Sequence, residues 1–337
     1  MGSMLALNIA DKGFQISVFN RTTATTKKFS KTAGKLSDNI TPCETLHELV
    51  STIKNPRAII LMVPAGSAVD EQIAALRPLL NPEDIIIDAG NADYNQTNRR
   101  ASEALENGFG FLGIGVSGGE TGARYGPSIM SGGSKQSWDK VSYLFEAIAA
   151  KYDGQPCAKW MGEEGSGHFV KTVHNGIEYA DMQMIAEIYG VMRDGMQLEA
   201  RECSEVFARW NNGALKSYLI EITAKILSAK DIETGKPIID LIIDRAGQKG
   251  TGRWTAVEAQ HLGAPIPSIE AAVAARNLSA NLDTRKNGEL AFGPAPKILP
   301  EGSLDLDDLE AALIAGKILC YAQGFALLSS ANSTFSW

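Results

Sequence analysis

The chain has 337 residues, 44% of them hydrophobic and 21% charged, with a formal net charge of −7 at pH 7. That length suits two domains, and the composition is that of a globular protein. The acidic balance argues against a general nucleic-acid or membrane-surface binder, so an anionic ligand requires a local basic pocket.

The chain opens on Met1-Gly2 and enters an apolar helical pattern, SMLALNIADKG, with no basic region and long apolar core of a signal peptide. The run FQISVFN (14–20) then reads as a buried strand, followed by Asn20-Arg21-Thr22. Where a second strand ends beside an adenosine ribose, an acidic residue selects NAD and an arginine favours the 2′-phosphate of NADP. Arg21 with Thr22 points to NADP, although taken alone the tripeptide reads better as a surface arginine in a turn. A GxGxxG turn is expected before this strand. Gly2 fits the last glycine of such a fingerprint, with the first strand and the earlier glycines absent. Loss of that central strand would leave unpaired backbone along its neighbours.

Further buried strands are expected at AIILMV (58–63), DIIIDAG (84–90) and GFLGIGVSGG (110–119), alternating with helical patterns such as AVDEQIAALRPLL and YNQTNRRASEALENG. The alternation implies a doubly wound parallel sheet. From about residue 165 the pattern is almost wholly helical. The division is expected near GEEGSG (162–167), giving an α/β domain over 1–164 and an all-α domain over 165–337.

The stretch KTVHNGIEY (171–179) lies in a long helical pattern without proline. Lys171, His174, Asn175 and Glu178 fall at i, i+3, i+4 and i+7 and share one face. Lys171 and Glu178 are then about 10 Å apart along the axis, a spacing that suits two groups gripping a small molecule. A solvated polar face explains this stretch equally well on its own. Gly176 inside the helix costs about 1 kcal/mol relative to alanine, which close approach of a ligand or another backbone would justify. Late in the chain AALIAGKILCYAQGFALL is interrupted by Lys317 and Gln323 and reads as a buried helix rather than a membrane span. The four cysteines, Cys43, Cys157, Cys203 and Cys320, have neither CxxC nor metal-ligand spacing and read as buried thiols in a reducing, cytoplasmic compartment. No metal is expected.

Two motifs carry a specific resemblance. GEEGSGHFVKTVHN fits the GxxGxGxxxKxxxN pattern of the β-hydroxyacid dehydrogenases at Gly162, Gly165, Gly167, Lys171 and Asn175, and IIDRAGQKGTGRW (242–254) resembles the signature of the 6-phosphogluconate dehydrogenase family. DAGN, GVSGGETGARYGPSIM, HNGIEYADMQ and KILCYAQGFALL follow in that family's order. The resemblance covers essentially the whole chain. It implies a Rossmann-like sheet followed by a helical domain, NADP as cofactor, 6-phosphogluconate as substrate and a homodimer. It makes Lys171 the base at the substrate 3-hydroxyl, which requires a lowered pKa, and Glu178 the acid at C1. Ser117, Gly118 and Gly119 would hold the carboxylate, and Asn91, His174 and Asn175 the hydroxyls. Tyr179, Lys249, Thr251 and Arg276 would hold the 5-phosphate, a donor set that suits a dianion. Met1, Gly2, Asn20, Arg21, Thr22, Val63, Pro64, Ala65 and Asn91 would line the cofactor.

The sequence also departs from the family. The first strand with its glycine turn is missing, and relatives continue beyond Trp337 into further helices and a tail that reaches the partner's active site. Ala89, Thr25 and Arg253 stand where relatives often have glycine, lysine and lysine. Two other readings therefore stay open: a shortened, catalytically incompetent relative, and a β-hydroxyacid dehydrogenase for a smaller, unphosphorylated substrate.

Overall fold

The computed structural model describes residues 1–248, 250–294, 298–300 and 302–337. It divides into two compact units, Met1–Thr172 with Phe335–Trp337, and Val173–Thr334.

The first unit runs α1 (Gly2–Asp11), β1 (Ile16–Phe19), α2 (Thr23–Thr32), β2 (Ile40–Cys43), α3 (Leu46–Thr52), β3 (Ala58–Leu61), α4 (Ser67–Leu76), β4 (Ile85–Asp88), α5 (Tyr94–Glu106), β5 (Gly110–Ser117), α6 (Gly119–Tyr125), β6 (Ser128–Gly133) and α7 (Lys135–Ile148). The short pair β7 (Lys151–Tyr152) and β8 (Gln155–Pro156) leads into β9 (Ala158–Gly162). Several helices start on side-chain caps. Thr45 accepts the Glu48 N–H at 3.0 Å, and Asp93 accepts the Asn95 N–H at 2.8 Å, satisfying donors that a helix start leaves open.

Five strands form one sheet in the order β3-β4-β5-β6-β9. Alternate residues of β4 face opposite layers, as period-two side chains must. Ile85 and Ile87 join Leu5, Ile9, Leu112, Ile114, Trp138 and Phe145, whereas Ile86 joins Ile59, Leu61, Val69, Leu76 and Phe111. Each such aliphatic contributes roughly 1.5–3 kcal/mol when fully buried.

The sheet bears out the expected doubly wound α/β architecture, with β3, β4 and β5 parallel, and refines it in two respects. It is mixed, because β5 and β6 pair antiparallel. Ten residues join Ser117 to Ser128, and seven of them form α6. A parallel return needs a crossover of about a dozen residues or more, so the short link turns the strand back. Secondly, β1 is not buried. All four of its residues are half-exposed, and among the described residues it pairs only with β2, in a separate parallel sheet. Its side chains still serve both layers: Ile16 packs on the first cluster and Phe19 on the second. Pro42 lies in β2, a position open to proline because the strand is at an edge.

The second unit is helical. α8 (Ser166–Gly190) starts in the first unit and continues into the second, ending in a π-turn at Val191–Gly195. Then come α9 (Ala200–Trp210), α10 (Tyr218–Ser228), α11 (Thr251–His261), α12 (Pro267–Ala280), α13 (Leu282–Phe292) and α14 (Leu306–Phe335). Ile185, Met192, Cys203, Phe207, Trp210, Ile220, Leu227, Leu309 and Leu313 form its core. α14 was expected to be buried. One stripe is, at Leu309, Leu313, Cys320, Gly324, Leu327 and Ala331, whereas Ile318 and Phe325 are more than 60% exposed and Leu319 and Tyr321 lie open beside them. The helix is apolar on all sides, and its neighbours within the unit cover only one. Midway along it, Lys317 Nζ donates to both oxygens of Asp181, each at 2.6 Å. Cys43, Cys203 and Cys320 are buried as expected, and Cys157 is half-buried.

Candidate active site

In the first unit the predicted residues follow the carboxyl ends of strands, where ligands bind in open α/β sheets. Asn20, Arg21 and Thr22 follow β1 and are exposed, with Asn20 Oδ1 accepting the Thr22 N–H at 2.9 Å. Val63, Pro64 and Ala65 follow β3, and Asn91 follows β4 and is exposed. Met1 and Gly2 open α1, and a Cβ on Gly2 would come within 3.1 Å of the Met62 side chain.

Ser117 closes β5 and leads into Gly118 and Gly119, at φ +120° and +62°. A side chain at Gly118 would also strike the Gly122 backbone, so glycine is required twice over. Lys171 is only 6% exposed, and its Nζ donates to Ser117 Oγ at 3.2 Å. What brings a lysine of α8 onto a strand end is a row of missing side chains. A Cβ at Gly115 would stand 2.4 Å from Lys171 Cβ, one at Gly113 would stand 2.8 Å from His168 Nδ1, and Gly132 and Gly167 meet backbone to backbone. α8 thus lies on β5 and β6 closer than any side chain would permit.

In the second unit α8 meets the start of α11. Asn175 Nδ2 donates to Thr251 Oγ1 at 2.8 Å, and both residues are buried. A Cβ at Gly252 would lie 2.3 Å from the Tyr179 ring. The Arg276 guanidinium stacks 3.6 Å above the other part of that site, the Tyr179 ring centroid, and donates to the Gly247 carbonyl at 2.9 Å. It is a held cation rather than a loose surface arginine. His174 Nδ1 lies 3.9 Å from Glu178 Oε2, and both side chains are 38% exposed. A Cβ at Gly176 would come within 2.6 Å of the Thr255 side chain, so a neighbouring helix, not a ligand, requires that glycine. Lys249 lies outside the described residues.

The structure therefore brings together Lys171 with Ser117, Asn175 with Thr251, and Tyr179 with Arg276, while Arg21 stands at the end of the separate two-stranded sheet. The sequence reading missed the buried polar residues behind Asn91, which are Asp88, Arg100 and His168. A signal for Arg100 existed: Tyr94, Thr97, Arg100 and Ala104 recur at helical spacing on the buried face of α5.

Residues 1–162 match the NAD binding domain of 6-phosphogluconate dehydrogenase, and residues 167–337 match the 6-phosphogluconate dehydrogenase C-terminal domain. The chain is 48% identical over 340 residues to the NADP(+)-dependent, decarboxylating 6-phosphogluconate dehydrogenase of Bacillus subtilis, an alignment covering all of this chain and 72% of that protein. The chain belongs to the 6-phosphogluconate dehydrogenase family. The decarboxylating 6-phosphogluconate dehydrogenase 1 of Saccharomyces cerevisiae is 46% identical, over all of this chain and 69% of its own length. The solved 6-phosphogluconate dehydrogenase of Plasmodium falciparum, described as apo, with NADP+ and with 6-phosphogluconate, superposes with a TM-score of 0.93 at 43% identity. It aligns with 100% of this chain, which spans 73% of it. A 3-hydroxyisobutyrate dehydrogenase of Mycobacterium tuberculosis shares the fold at 18% identity and a TM-score of 0.56, covering 93% of this chain and 95% of that one.

Proposed function

We propose that the chain oxidatively decarboxylates 6-phospho-D-gluconate to D-ribulose 5-phosphate and CO2, reducing NADP to NADPH. The observation that carries this reading is Lys171: buried, held 3.2 Å from Ser117 Oγ at the end of β5, and followed two turns later on α8 by Glu178. NADP supplies the acceptor for the hydride that leaves C3. Lys171 Nζ takes the 3-hydroxyl proton as that hydride departs. The product is a β-keto acid, and the ammonium now on Lys171 stabilises the C3 oxygen as the C1–C2 bond breaks and CO2 leaves. The Lys171 proton passes to that oxygen to give the enediol, and as Glu178 protonates C1 of the enediol the oxygen returns its proton to Lys171, leaving the ketone.

The remaining residues bind. Ser117, Gly118 and Gly119 hold the carboxylate by hydroxyl and main-chain N–H groups. Asn91, His174 and Asn175 hold hydroxyls. Tyr179, Thr251, Arg276 and Lys249 hold the phosphate, for which the Arg276 fork is suited. The residues fit a dinucleotide with a 2′-phosphate: Arg21 is exposed beside the Asn20–Thr22 turn at the end of β1, and Val63, Pro64 and Ala65 line the next strand end. Met1 and Gly2 lie at the start of α1, where a helix amino terminus favours anionic groups. The domains are read as 1–164 for the cofactor and 165–337 for substrate and subunit contact. The chain acts in the cytoplasm as a homodimer, a reading supported by the exposed apolar face of α14.

One observation favours a second reading, a chain that binds substrate without turning it over. β1 and β3 each have a single strand neighbour, so the cofactor residues sit on two sheets. The test is absorbance at 340 nm with purified protein, NADP and 6-phosphogluconate, beside 3-hydroxyisobutyrate as the smaller substrate. Turnover of 6-phosphogluconate alone is expected. Binding without turnover selects the second reading, and turnover of 3-hydroxyisobutyrate alone overturns both.

A further inference from the structure

We infer that Arg100 and His168 are positioning residues, a buried polar relay that fixes the loops after β3 and β4 and ties them to the turn of α8 that carries Lys171. The inference rests on the proposed reaction for its kinetic consequence, not for its geometry.

Arg100 is 1% exposed. A guanidinium cannot shed its charge, so in the interior it must be paired. Its Nε donates to Asp70 Oδ1 at 2.8 Å, and its Nη2 donates to Asp70 Oδ2 at 3.1 Å and to the Gly66 carbonyl at 3.0 Å. Gly66 ends the loop bearing Val63, Pro64 and Ala65. The third nitrogen, Nη1, points the other way, to Asp88 Oδ2 at 3.6 Å, and among the described residues neither atom has a hydrogen-bond partner. Asp88 is fully buried, and its Oδ1 accepts the Gly90 N–H at 3.1 Å, shaping the turn into Asn91. One guanidinium therefore holds both loops.

His168 completes the relay. Its Nδ1 lies 2.7 Å from Thr97 Oγ1, and the ring is acted on by Asp88 and by the main chain of Gly90 and Ile114. Burial lowers its pKa, Asp88 opposes that shift, and Arg100 adds to it, so the ring stays neutral. A neutral imidazole has one N–H to direct. Thr97 Oγ1 lies 2.7 Å from Nδ1 and donates to the Asp93 carbonyl at 3.2 Å, so the ring is tied to the start of α5. Gly113 leaves the space the ring fills. Three residues later on the same face of α8 is Lys171. The relay thus links Gly66, Gly90 and Lys171 without touching any reacting atom, and an error of about 1 Å in such placement costs on the order of a hundredfold in rate. Asp70, at the outer end, has its pKa lowered to about 2, chiefly by its hydrogen bond to Arg100, the mark of an engaged pair.

Arg100→Lys keeps the charge and loses the fork; His168→Gln keeps a neutral donor. In the full chain, hydrogen exchange read by mass spectrometry should quicken about tenfold or more in Arg100→Lys at both loops, 64–69 and 88–93, and not across the remaining sheet. His168→Gln should loosen 88–93 alone. Kinetically, His168→Gln should lower kcat about tenfold with the KM for NADP unchanged, while Arg100→Lys changes both. If Arg100→Lys does not fold, Asp70→Asn at the half-exposed end should quicken the same two loops. In Arg100→Lys or Asp70→Asn, exchange that quickens in one loop only, in neither, or evenly over the unit overturns the inference, as does His168→Gln leaving 88–93 unchanged. If the unaltered chain fails to oxidise 6-phosphogluconate, the proposed reaction falls, and the exchange pattern still decides the relay.

Discussion

Lys171 and Arg100 are both buried cations, and only one announced itself in the sequence. Lys171 stands in a spaced motif with Gly165, Gly167 and Asn175, and its proposed role as base comes from that resemblance. Arg100 follows Arg99 in an ordinary helical run. Yet Arg99 is 41% exposed and Arg100 is 1% exposed, because one residue along a helix turns the side chain by about 100°. Charge identity hid the difference, and the phase of Tyr94, Thr97 and Ala104 held it. His168 was likewise passed over, since nothing in its neighbours names Thr97, 71 residues away, as its partner. For Lys171 the expectation is direct. Lys171→Met should lower kcat by about a thousandfold, within the range for loss of a general acid–base group. The NADP affinity, measured by fluorescence titration, should stay within about threefold because the side chain faces Ser117 rather than the cofactor loops. Near-normal turnover would remove Lys171 from the mechanism.

Among elements, the approach of α8 to β5 is the contact that sets the chemistry, and it depends on atoms that are absent. Gly115→Ala would force a Cβ to within 2.4 Å of Lys171 Cβ. We expect a destabilisation of about 1–3 kcal/mol in urea, as for overpacked cores, with a fall in kcat as Lys171 moves off Ser117. Gly190→Ala on the same helix is the control: nothing lies within 4 Å, and the change should be neutral or stabilising. An equal loss from both would mean that the packing at Gly115 is not the cause. Continuous apolar runs made β3, β4 and β5 legible. β2, with Pro42, and β6, with Gly132 and Gly133, lack a continuous apolar run and were not read as strands. The glycines of β5 were visible as letters; that they receive a helix was not, because the helix begins about fifty residues later.

At the scale of the molecule, the change from alternating to purely helical patterning made the fold class readable. The division of the sheet into two pieces was foreseen as unpaired backbone beside β1. The exposed side of α14 was not foreseen, since an all-apolar helix has no polar face to show which side lacks a neighbour. That side underlies the proposed dimer. Light scattering at micromolar concentration should give twice the chain mass, and Ile318→Glu with Phe325→Glu should shift it to the monomer. A monomeric unaltered chain would rule the dimer out. The buried thiols carry a different consequence. Burial pushes Cys203 and Cys320 up to about 11, so at pH 7 only about one thiol in ten thousand is ionised and able to react. Cys43 is raised as well, by the same cause. These positions are therefore nearly silent to peroxides and alkylating reagents until the chain around them opens. With Cys43 in one unit and Cys203 and Cys320 in the other, the speed at which each takes up a label times the breathing of each half separately.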